Sequence, residues 1–102
     1  MHSDPDIRAL QAHFNDIASA LFQEASNSFR NEAARTNRDG KENVYQLLRS
    51  KHCQYFRRSL QQQADAILAR CDKKEMQLRL RAYLGESIRY FEAEFLRKTD
   101  EF

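Results

Sequence analysis

The chain has 102 residues, 41% apolar and 31% charged, which suits one soluble globular domain. Two glycines and one proline are too few for the turns of a β-rich fold, so an all-α chain is expected. A net charge of +2 does not by itself argue for nucleic acid, and no run of eighteen apolar residues is present to span a membrane.

The first helix is expected over about residues 5–34. Asp4 suits an N-cap, Pro5 the first helical position and Asp6 the positive end of the helix dipole. Ile7, Leu10, Phe14, Ile17, Leu21, Ala25 and then Ser28 or Phe29 form its buried stripe, close to heptad phase as in a coiled coil before Phe29. From Arg35 the sequence RTNRDGKEN holds no apolar residue, and Asp39-Gly40 is a turn signal. A loop over 35–41 would return the chain as an antiparallel helical hairpin.

The second helix, about 42–71, organises the rest. Tyr45, Leu48, His52, Phe56, Leu60, Ala64, Ile67 and Cys71 recur at steps of three or four over a stretch without Gly or Pro. Near Asp72 a tight corner is expected, because Asp72 followed by Glu75 resembles a capping box and a new stripe begins: Met76, Leu80, Tyr83 or Leu84, Ser87 or Ile88, Phe91 and Phe95. The alternative is a single rod of helices two and three. The third helix is placed over about 73–98. Gly85 costs it about 1 kcal/mol relative to Ala, which either close helix packing would explain or the helix simply tolerates, and the polar tail after Arg97 is expected to fray.

The fold expected is thus one domain over 1–102, an elongated antiparallel bundle of three long helices. Its eleven aromatic residues exceed what a thin three-helix core covers, so another chain is expected to complete it. Cys53 and Cys71, eighteen residues apart on one helix, would stand roughly 27 Å from each other, beyond disulfide reach. Reduced thiols and an N-terminus MHSDPDIR unlike a signal peptide point to an intracellular chain.

The chemistry of an enzyme is missing. His2, His13 and His52 share no metal-ligand spacing, and there is no glycine-rich phosphate loop and no H-E-x-x-H motif. Cys53 beside the apolar stripe reads as a packed thiol. No catalytic residue, cofactor, metal, membrane or small-molecule substrate is therefore expected. Charge is uneven: residues 44–90 hold ten Lys/Arg against four Asp/Glu. In a homodimeric nucleic-acid-binding bundle, Arg49, Arg57, Arg58, Arg79, Arg81 and Arg89 would contact phosphate; otherwise these side chains form a solvated face.

The run Leu47-Leu48-Arg49-Ser50-Lys51-His52-Cys53 resembles the L-L-R-N-[KR]-R-C run in a long helix of the partner-of-Sld-five "one" subunit of the GINS replication complex. Leu80-Arg81-Ala82-Tyr83 is similar to an L-R-A-Y segment in that subunit's next helix. The resemblance implies a non-enzymatic, nuclear scaffold subunit in DNA replication. It would pack on other helical subunits and associate with the replicative helicase, with DNA contact indirect. Leu48, His52, Tyr55, Phe56, Tyr83 and Phe91 are the interface anchors expected. A kinetochore or transcription-coactivator subunit, nuclear or cytoplasmic, would carry the same helical signature.

Overall fold

Each apolar stripe becomes the inner face of one helix. The computed structural model describes residues 3–35 and 42–100, which form α1 (Ser3–Arg35), α2 (Glu42–Leu68) and α3 (Lys74–Asp100). The three run up, down and up, and each packs on the other two. The molecule is a rod of 59 × 18 × 18 Å with a radius of gyration of 16.4 Å, against about 13 Å for a compact chain of this length. The all-α elongated bundle expected from the sequence is what forms. The Asp39-Gly40 turn and the rest of 36–41 lie outside the described residues.

The stripe of α1 differs from its heptad reading. Ala18 is fully buried where Ile17 was expected, Phe29 is buried where Ser28 was the alternative, and Ser26 and Ala33 join the interior. A straight helix turns once in 3.6 residues, so its inward face drifts by about 20° per heptad relative to a strict seven-residue repeat. Over a 33-residue helix that drift moves the seam by a full position. The helix also begins at Ser3, which leaves Asp4 and Pro5 within its first turn instead of at the cap.

On α2 the expected stripe is buried throughout except for His52, which is partly exposed, and Cys53 is added to it. The corner is real and separates α2 from α3. Residues 70 and 71 tighten into short-range bonds, Arg70 N–H to Ile67 C=O and Cys71 N–H to Leu68 C=O, both at 3.0 Å. Cys71 therefore lies beyond α2, in the connection, and the two-cysteines-on-one-helix reading is corrected; neither cysteine is in a disulfide. The expected Asp72–Glu75 box is also displaced, because the first bond of α3 runs from Gln77 N–H to Lys73 C=O, which makes Lys73 the capping residue. The Gln77 side chain holds the corner: its amide donates to Cys71 C=O at 2.7 Å and to Leu68 C=O at 3.3 Å, the latter carbonyl also accepting from Cys71 N–H.

The core is aromatic at its centre. Phe95 of α3 is fully buried and meets Phe22 and Phe29 of α1 and Phe56 of α2 at centroid distances of 6.5, 6.4 and 5.4 Å. The end of α3 is a further correction, since the helix continues past Arg97 to Asp100. Thr99 is fully buried, its carbonyl accepts from Tyr45 Oη at 2.8 Å, and its hydroxyl accepts from Arg49 Nε at 2.9 Å.

Two positions break the fold's own rules. No atom lies within 4 Å of a Cβ built on Gly85, so close packing does not account for that glycine. Ser26 is buried and its Oγ has no hydrogen-bond partner. Gly85→Ala should therefore stabilise the chain by about 1 kcal/mol through helix propensity, and Ser26→Ala by a similar about 1 kcal/mol by removing an unsatisfied hydroxyl. Urea unfolding checks both; a loss of stability in either variant would contradict this reading of the site.

Candidate interaction surface

Two grooves flank α1, and the expected anchors divide between them and the core. The groove between α1 and α2, about 250 Å³, is lined by Leu21, Ala25, His52, Tyr55, Phe56 and Ser59 among others. The groove between α1 and α3, about 570 Å³, is lined by Asn15, Tyr83, Glu86, Ser87, Tyr90 and Phe91. Leu48 and Phe56, at 8% and 2% exposure, belong to the chain's own core. As anchors for a partner they are corrected: a side chain spent on the intrachain core presents almost no surface to another chain. Tyr83 and Phe91 are half-buried; Asn15 Nδ2 donates to Tyr83 Oη at 2.8 Å, and Phe91 packs on Phe22 and Tyr90. Tyr55 is the one expected anchor that is well exposed, at 57%.

His52 is held from two sides. Its Nε2 lies 2.7 Å from Glu32 Oε1, and its ring meets Phe29 edge-on at 5.8 Å. Lys51 Nζ donates to the second oxygen of Glu32 at 3.0 Å. These bonds to His52 and then Lys51 hold the Glu32 carboxyl below its ordinary value of 4.5. The group ties α1 to α2, and Glu32 is a member that sequence reasoning missed. Its position one turn after Phe29 on the antiparallel hairpin is the signal that could have found it.

The Cys53 thiol is buried 3.9 Å from Glu92 Oε2. Burial pushes its pKa up and the Glu92 carboxylate adds to that, with Arg49 and Arg57 partly offsetting both. A thiol raised in this way stays protonated at neutral pH, as a packed cysteine does.

The six arginines do not make one basic surface. Arg49 is committed to the clasp on α3, donating to Leu96 C=O at 2.6 Å and to the Thr99 hydroxyl, with Asp100 at 3.9 Å; as a phosphate contact it is corrected. Arg57 lies 3.8 Å from Glu92. Arg58 projects about 100° round the helix from Arg57, and Arg79 and Arg89 are separated by about 15 Å along α3. Arg81 is exposed between them.

The exposed apolar residues were largely missed. Val44, Leu47, Leu78, Tyr90 and Leu96 are exposed by 42, 71, 61, 60 and 38%. Most of the aromatic surface is consumed internally, so the outer apolar surface is more aliphatic than expected. Val44, Leu47 and Tyr55, at steps of three and eight, share the outward edge of α2, and Tyr55 continues that edge into the α1–α2 groove. Among the described residues there is no cluster of three or more metal-ligating side chains, and no helix is long and apolar enough to cross a membrane. No family model, curated protein or solved structure matches the chain.

The Glu32 carboxyl gives a pH prediction. Its folded value is depressed, so its contribution is complete above the ordinary 4.5 and is lost as pH falls through the lower folded value. Wild type should be more stable than Glu32→Gln at neutral pH, with the difference shrinking as pH falls below 4.5. Urea midpoints across that range decide it, and a difference that persists undiminished in acid would contradict the linkage.

Proposed function

We propose that the chain is a non-enzymatic interaction subunit of a helical protein complex, and that the outward edge of α2 is its principal contact. The observation that carries this reading is Val44, Leu47 and Tyr55 standing exposed on one edge of α2, with Tyr55 lining a groove of mixed apolar and polar character. An apolar stripe of this kind beside a groove suits an amphipathic helix laid along it, with Tyr55 as the aromatic anchor. Neighbouring Lys51 and Glu32 supply a polar rim.

The specific form of this reading is a GINS-like nuclear replication scaffold, which rests on the resemblance of Leu47–Cys53 and Leu80–Tyr83. Within the first run Leu47 points outward, while Leu48, Arg49 and Cys53 serve the contact with α1 and α3. Leu47 is thus the residue through which such a run would meet a sister subunit. The salt-sensitive phosphate-binding alternative has less support, because Arg49 and Arg57 are occupied by α3.

Co-expression with candidate GINS subunits, followed by light scattering, tests the specific form. A monodisperse hetero-oligomer is expected, and Leu47→Glu with Tyr55→Glu should return the chain to its uncomplexed mass. A chain that ignores those subunits would overturn the replication form, and a complex indifferent to both substitutions would overturn the α2 edge.

A further inference from the structure

The α1–α3 groove lies on the other side of α1 from the α2 edge, and its lining has a chemical bias. Tyr83, Glu86 and Tyr90 recur at i, i+3 and i+7 on α3, which brings them to one edge of the helix. Phe91 extends the aromatic lining, with its ring 5.3 Å from that of Tyr90 at 80°. Asn15 faces them from α1. Its Nδ2 donates to Tyr83 Oη at 2.8 Å, which fixes the phenol ring and leaves the amide Oδ1 as an acceptor.

The polar groups that line the groove are thus rich in acceptors, and no Lys or Arg lines it. Glu86 is exposed and makes no ion pair among the described residues; Arg89, less than one turn further on, does not come within ion-pair distance of it. Aromatic faces beside an unneutralised carboxylate favour a cation. The groove, about 570 Å³, is lined by one edge of α3 and by Asn15 alone from α1, so it does not enclose a rounded ammonium group on all sides. A flat cation fits better. A guanidinium is planar, carries five N–H donors and no acceptor, stacks on aromatic rings and pairs with a carboxylate.

We propose that this groove binds an arginine side chain presented by a partner polypeptide. The guanidinium stacks on Tyr90, the Glu86 carboxylate accepts from its N–H groups, and Asn15 Oδ1 accepts a further one. The inference goes beyond the proposed function and does not depend on the α2 edge being an interface, since it concerns other residues and is read with a small probe.

The probe is N-acetyl-arginine methylamide, titrated against the isotope-labelled chain by NMR. N-acetyl-citrulline methylamide serves as the neutral isostere, and the lysine analogue as a second cation. Amide shifts centred on residues 83–91 and Asn15 are expected to saturate with a dissociation constant on the order of 1–10 mM for arginine, with citrulline inert and lysine weaker. Glu86→Gln and Tyr90→Ala should each weaken binding about two- to fivefold. Tyr55→Ala, in the other groove, should leave it unchanged. Both test positions are exposed, so the variants are expected to keep the wild-type spectrum elsewhere. Shifts scattered over the surface, equal responses to arginine and citrulline, equal binding of lysine, or indifference to both substitutions would each overturn the proposal.

Discussion

The bundle depends on one side chain, Phe95 of α3, packing against both other helices at once. Its ring is fully buried and lies within 6.5 Å of Phe22, Phe29 and Phe56, centroid to centroid. Edge-on and tilted aromatic contacts of this kind add about 0.5–1.5 kcal/mol each to the area they bury. Truncating a buried phenylalanine typically costs about 3–5 kcal/mol, a large part of the about 5–15 kcal/mol by which a domain is stable. The thinness of the rod sharpens the constraint. With extents of 18 × 18 Å across the rod, the core between the three helices is narrow.

From that centre the clasp at the end of α3 follows. Phe95 fixes the rotation of α3, which turns Thr99, four residues on, toward α2. A buried threonine needs partners for its hydroxyl and its carbonyl. Arg49 and Tyr45 supply them, and the Thr99 hydroxyl also donates to Phe95 C=O at 2.8 Å. The same rotation leaves Gly85 facing open space, and it places Tyr83, Glu86 and Tyr90 along the α1–α3 groove.

The fold was legible because three stripes with helical spacing and almost no Gly or Pro leave few alternatives. Tyr45 through Ile67, His52 excepted, lie inside as their spacing requires, and the corner near Asp72 is where charge interrupts two stripes. What was not legible came from interactions between helices. Thr99 and Gln77 look like surface residues until the carbonyls and side chains opposite them are known, and Ala18 displaces Ile17 because drift accumulates along a helix. The candidate surface was read less well. The resemblance pointed to Leu48 and Phe56 as anchors, yet both lie on the buried stripe of α2, whereas Val44 and Leu47 fall off that stripe and are exposed, as its spacing implies.

Folding and the proposed association thus fall to different side chains of the same helix: Phe56, Leu60 and Ala64 are buried in the bundle, while Val44, Leu47 and Tyr55 are exposed. The most direct measurement is urea unfolding of Leu47→Glu/Tyr55→Glu beside wild type. Exposed positions without special contacts should change stability by no more than about 0.5 kcal/mol each, so near-coincident transitions are predicted. A loss of several kcal/mol would place those side chains within the fold and contradict the separation.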